Sequence, residues 1–442
     1  MINNHGGQMS FRESERSNQY DSWGMKQEIN RLELWSKLGK VSKRPGTSIG
    51  SQVLLLYHDQ QSYFGRKDYN GTQKGLYANI IYQGILGNSN HGFKTGINYQ
   101  LDDYAEHYAD HLNSRQTDTV FMRAESVPGA FFEYTFSLLD KFTLVSGTRV
   151  DAHDKFGVFV TPRLHIKYAI APQTVVRLSA GRGQRMANIL AEGYGAMSSS
   201  REFIVMGATS QYAYGLKPEV AWNYGLNFTQ KFRLDYRDGY FSTDVYRTHF
   251  TNQVVADMEQ DPRQVLFYNL NGKSFSNSLQ VQVDYELIKR FDIRLAYRRY
   301  NVQTTYLSGQ KLKPLTSKDR AFVNLSYRTR SYWQFDCTLN WQGPKRLPST
   351  EQSPEQFRTN EESPGFFIMN AQVSKTWNEK FEIYLGAENL LNFKQNNAII
   401  ASQTPFSEYF DASMIWGPVF GREVFAGFAV HVKIKRDRKG RG

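Results

Sequence analysis

Residues 381–392 read "FEIYLGAENLLN". On an extended chain Phe381, Ile383, Leu385 and Ala387 share one side, and Glu382, Tyr384, Gly386 and Glu388 share the other. One face is oily and one is wet. The same period of two recurs in "PRLHIKY" (162–168), "LQVQVDYE" (279–286) and "AFVNLSYR" (321–328), while helical periodicity is nearly absent. A recurring period of two defines an all-β chain.

Taken with their turns, such runs predict about 17 strands, many of them longer than the usual five or six residues. Among them are 92–104, 125–138, 265–286, 380–391 and 418–434. Short turns such as "GNSN" (87–90), "IAPQ" (170–173) and "WNEK" (377–380) alternate with long loops near 105–120, 185–217, 342–363 and 392–417, the short link "AHDK" (152–155) excepted. Short turns at one end and long loops at the other describe an outer-membrane barrel, whose outer rim alone is free to grow. Tyr168, Phe232, Tyr285 and Tyr327 stand on the apolar face just before short turns, at headgroup level. The oily faces then point to lipid. The polar faces, with Arg177, Asn223, Gln280, Asp292, Arg294, Gln372 and Glu382, line a wet lumen, which spares the cost of burying unpaired charges in a dry core.

Composition agrees. The 442 residues are 22% charged and 14% aromatic, rich in rings for a soluble protein. No apolar run approaches the length of a spanning helix; "VLLLY" (53–57) is among the longest. Cys337 is the sole cysteine, so there is no intrachain disulfide framework. The net charge of +12 suits an anionic surface, but the basic residues look scattered except in the tail "KIKRDRKGRG" (433–442), which reads as a solvated end able to touch anionic lipid; no nucleic-acid partner is expected. The first residues, "INNHGGQMSFRESERSNQ", show no signal peptide.

"FEIYLGAENLLNFKQ" (381–395), "WGPVFGREVFAGFAVHV" (416–432), "TPRLHIKYAIAPQTVVRLSAGRGQRMANILAE" (161–192), "LKPEVAWNYGLNF" (216–228) and "VPGAFFEYTF" (127–136) together resemble the barrel of TonB-dependent outer-membrane receptors. The resemblance implies a barrel of about 22 strands with a plugged lumen. It also implies uptake of a scarce nutrient chelate, iron–siderophore complexes above all, driven through the TonB–ExbB–ExbD complex. Partners are then outer-membrane lipid, the chelate and the barrel-assembly machinery, which would read Phe425, Phe428 and Val430 near the closing strand. An odd count of about 17 strands between periplasmic ends leaves about five strands, the plug and the signal peptide outside the chain. The expected organisation is therefore an incomplete barrel over 1–434 and a basic tail over 435–442. A passive porin-like channel and a non-functional receptor fragment are the alternatives.

No catalytic set emerges, so no enzyme and no cofactor is expected. "GTSIG" (46–50) matches a nucleophile elbow by letter, yet a turn precedes Ser48 and a strand follows it, the reverse of what that motif needs. One constellation carries a binding hypothesis: "LDDYAEHYADHLNSRQTD" (101–118), placed in a long outer loop. There a helical turn would put His107 and His111 on one face as metal ligands, with Asp103, Glu106 and Asp110 beside them. The loop 185–217 adds Tyr194, Tyr212 and Tyr214 as candidates for an aromatic chelate, and Met186, Met197 and Met206 as soft donors.

Overall fold

The computed structural model describes residues 2–12, 22–112, 117–207, 213–378 and 380–430. Eighteen of the described strands, from Ile2–Gly7 to Glu423–Val430, form one antiparallel meander in which each pairs with its neighbours in chain order. Gly309–Leu312 adds a short hairpin to the end of Phe291–Tyr306. The first and last wall strands do not pair with each other among the described residues, so the sheet is open. It is nevertheless curled: the Trp23 ring lies 5.4 Å from Phe410, and Arg66 stands 4.7 Å over the Phe406 ring, which brings the last long loop to the first strands.

The oily face of the opening stretch points outward. Phe381, Ile383 and Leu385 are exposed on the strand Phe381–Glu388, while Gly386 on its other side is buried. Across the ladder Leu385 sits level with Val373 and Ala426, so the apolar face continues from strand to strand. Inward polar side chains answer one another instead. Arg177 donates to Asn227 at 3.0 Å, Asn223 to Thr248 at 2.8 Å, and Arg294 pairs with Asp284. The rings before the short turns meet as a belt, with Phe232–Tyr285 at 5.9 Å, Phe291–Tyr327 at 6.2 Å and Phe142–Tyr168 at 6.5 Å.

Four sequence expectations change. The segment 105–120 is not a long loop: the strand His91–Asp110 and the strand Thr117–Leu138 run through most of it. Likewise the chain passes from Ser48–Phe64 to Lys67–Ile85 in a turn at Gly65, whose φ of 58° suits glycine. Hydropathy hid these extensions because their inner faces bury polar and aromatic groups, so the oily-wet contrast disappears. The run 265–286 is two strands, Gln264–Asn269 and Ser274–Ile288, broken at Gly272 with φ of 137°. Ile2–Gly7 is an additional wall strand, which makes the count even and removes the basis of the parity argument for five further strands. Basic residues stand on both faces and at both ends of the wall, and Lys43, Arg44, Lys141, Lys289 and Arg330 among them lie in short-turn connections. No helix among the described residues is long and apolar enough to cross a membrane, which says nothing of a barrel.

Candidate functional site

The long-loop end is occupied. Segments 186–207, 213–218 and 253–273 fold against the inner face of the wall, where Glu202–Val205, Val254–Asp257 and Gln264–Asn269 form a small sheet of their own. They do so because they carry apolar residues that cannot be left in water: Ile189, Leu190, Met197, Leu216, Val265 and Phe267 are buried together with Phe64, Tyr69 and Tyr108 of the wall. Tyr194 sets its ring edge-on to Phe64 at 4.7 Å.

Two polar clusters anchor this stopper. In the first, the buried Glu106 carboxylate accepts from the Tyr69 hydroxyl at 2.8 Å and, through its other oxygen, from the Tyr214 hydroxyl of the loop. Burial, then the adjacent Glu106 carboxylate, push the Tyr214 phenol well above its ordinary range. Arg123 lies 3.9 Å over the Tyr104 ring, donates to Asn188 of the same loop, and has Glu125 at 3.6 Å. In the second, the fully buried Lys67 donates to the backbone carbonyl of Arg201 and has Asp110 at 3.8 Å. Arg201, also buried, pairs with Asp411 of the last long loop at 2.9 Å and donates to the Gln264 carbonyl at 3.3 Å. Lys67 and Arg201 thus join three loops to one wall strand.

Beside the stopper opens a polar cleft of about 240 Å³ lined by Arg185, Glu192, Glu219, Thr304, Tyr306 and Lys313. Arg185 spans it, with Glu192 at 2.7 Å and Glu219 at 2.6 Å. Burial opposes ionisation of Glu192, but the Arg185 guanidinium and the Asn188 amide more than offset it and hold the carboxyl low.

The expected site residues are dispersed differently from the sequence reading. Glu106 and Asp110 point inward and are buried; Asp103 points outward and is exposed. His107 faces Asp118 at 2.5 Å and His111 faces Asp68 at 3.5 Å, so each has its own partner. An extended chain separates residues four apart by about 13 Å, where a helical turn would bring them to about 6 Å. No group of three or more His, Cys, Asp or Glu able to hold a metal occurs among the described residues. Met197 is buried while Met206 is half-exposed, so the methionines do not share one environment. Tyr194 lies in the stopper, and Tyr212 lies outside the described residues. Tyr69, Arg123, Lys67, Arg201 and Asp411 were missed. A signal for the first cluster was present: Asp102, Tyr104, Glu106, Tyr108 and Asp110 alternate as acid and tyrosine on one strand face.

The architecture is a long-stranded open barrel wall with its outer loops turned inward. The chain belongs to the family described as TonB dependent receptor-like, beta-barrel, which matches residues 4–390. Solved structures share the fold at low identity. The ferric-catecholate import receptor Fiu of K12 E. coli is 11% identical with a TM-score of 0.62, over 93% of this chain and 64% of that one. The copper transporter OprC is 14% identical with a TM-score of 0.65, over 92% and 68%. The siderophore receptor PiuA of Acinetobacter baumannii is 11% identical with a TM-score of 0.61, over 93% and 65%. The chain therefore spans about 64% of the length of Fiu. No curated protein matches at the level of sequence.

Proposed function

We propose that the chain is the outer-membrane barrel of a receptor that imports a scarce nutrient as a metal chelate, with iron–siderophore complexes first among the candidates and energy arriving through TonB–ExbB–ExbD. One observation carries this reading: the lumen mouth is filled by interlocked loops that present a polar cleft and buried tyrosine–carboxylate and arginine groups. A passive channel needs an open path, and a stopper clasped by buried ion pairs opposes one. The relatives named for ferric catecholates, siderophores and copper support a metal-complex cargo. His107, His111 and Asp103 remain candidates for a first, surface contact with that cargo, and Tyr194 and Tyr212 for a later one.

The free edge of Gly24–Val41 beyond its hairpin with Ile2–Gly7 supports a second part of the reading. Twelve or so unpaired backbone positions in hydrocarbon cost several kcal/mol each, so strands from outside this sequence would close the wall, and a plug would fill it. Deleting the gene should abolish growth on, and labelled-metal uptake from, one defined chelate while leaving other iron sources usable. Unchanged growth on every iron, copper, haem and cobalamin source would overturn the proposal.

A further inference from the structure

At the long-loop end many basic side chains are held in ion pairs, Arg201 with Asp411, Arg346 and Lys311 with Glu259, Arg263 with Asp261 and Glu408, and Arg185 with Glu192 and Glu219, and Lys217, Lys313 and Lys394 there stand outside the connections of the short-turn rim. At the short-turn end Lys43, Arg44, Lys141, Lys289 and Arg330 have no ion-pair partner among the described residues, and all five stand in turns. Five of the eight short connections carry at least one Lys or Arg, from 42–47 near the first strands to 378–380 near the last. The charge is therefore a band along the rim rather than a patch on one side.

That band lies at the level of the ring belt. Lys375 shows the geometry: its ammonium stands 5.5 Å from the Trp333 ring and 5.8 Å from the Trp377 ring and donates to the Ser331 carbonyl in the turn. Its stem lies along the apolar face and its head reaches the rim, as a side chain does at a bilayer surface. Arg290 precedes Phe291 of the belt, and Arg330 shares the turn that leads through Tyr332 to Trp333. Val430, the last described residue, also lies at this end, level with Phe381.

We infer that the short-turn rim binds anionic phospholipid headgroups, phosphates of phosphatidylglycerol type, in the leaflet that surrounds it. A band of unpaired cations spread from the first to the last strands, at ring-belt depth, matches an annulus of headgroups; an acidic globular protein would need the charge on one face. Lysine and arginine near a membrane surface each add to anionic-lipid attraction. This inference rests on the membrane reading above.

The full chain is to be reconstituted into vesicles of phosphatidylcholine alone or with phosphatidylglycerol, and bound short-chain lipids counted by native mass spectrometry. Wild type should retain phosphatidylglycerol in preference to phosphatidylcholine. The triple change Lys43→Gln, Lys289→Gln and Arg330→Gln should weaken that preference about tenfold or more, whereas Lys217→Gln, Lys313→Gln and Lys394→Gln at the other end should leave it intact. Equal retention of the two lipids, equal effects of the two triples, or inorganic phosphate binding in place of the lipid would overturn the inference. Failure to enter either vesicle would break the membrane reading instead.

Discussion

The wall at 381–388 and the wall at 102–110 are built from the same alternation and behave in opposite ways. In the first, Phe381, Ile383 and Leu385 are apolar and exposed, and the even side chains face a wide interior. In the second, the inward side chains Asp102, Glu106, Tyr108 and Asp110 are buried, and the folded loops stand on Glu106 and Tyr108. A strand in this protein changes character along its length: it is a lipid-facing stave below and a seat for the stopper above. Polar groups on the seat are mostly partnered: Glu106 accepts from Tyr69 and Tyr214, Asp102 from the Gln73 and Gln100 amides, and Asp110 has Lys67 at 3.8 Å.

The comparison breaks most readily at the clasp. Arg201→Met leaves the Asp411 carboxylate buried without its partner, a loss of about 3–5 kcal/mol for an opened buried pair. The loops 186–207 and 389–422 should then become rapid protease targets, and Arg201→Met with Asp411→Leu should recover most of the protection. Equal resistance of wild type and single variant would mean that the clasp does not hold the loops.

On the stave, Leu385→Arg should destabilise the folded protein in vesicles by about 2–4 kcal/mol, while Gln372→Arg on the inner face should change it by less than about 1 kcal/mol. Urea unfolding monitored by tryptophan emission reads both. Equal costs would contradict a lipid-facing 381–388.

The seat carries an alkaline limit. Burial and the Glu106 carboxylate raise the Tyr214 phenol in the folded state, so its contribution is whole below the unfolded value near pH 10 and is lost as pH rises toward the folded one. Hydrogen exchange in 186–207 should therefore accelerate above about pH 10. Tyr214→Phe should reduce that dependence, Tyr69 on the same carboxylate keeping the rest, and cost about 1.5–3 kcal/mol at neutral pH, as for a hydrogen bond to a charged group.

The smallest effect belongs to the rim of the stopper. The hydrogen bond from Arg263 holds Asp261 below its usual range, so that pair stabilises above the unfolded carboxylate value near pH 4 and fades as pH falls through the lower folded one. Arg263 is nearly half exposed, and Asp261→Asn should cost no more than about 0.5 kcal/mol in thermal unfolding at neutral pH.

The stave was legible because lipid outside and water inside impose opposite solvents on odd and even positions, and hydropathy records that directly. The seat was not. Once loops cover it, both faces of 102–110 are polar or aromatic by letter, and the spacing of His107 and His111 invited a helical reading that the extended backbone does not allow. Tyr69 could have been suspected only by knowing that it lies level with Tyr108 across the ladder. Arg201 and Asp411 are 210 positions apart and carry no local pattern.

Strand number to within one, the outward face, the ring belt and the family were thus written in short-range order, where each residue answers to its neighbours two places away and to the solvent beside it. The stopper, its two polar clusters and the unpaired cations at the opposite rim are decided by tertiary structure alone. They depend on which distant segments share a burial site, and desolvation and ion pairing act between residues brought together in space, whatever their distance along the chain.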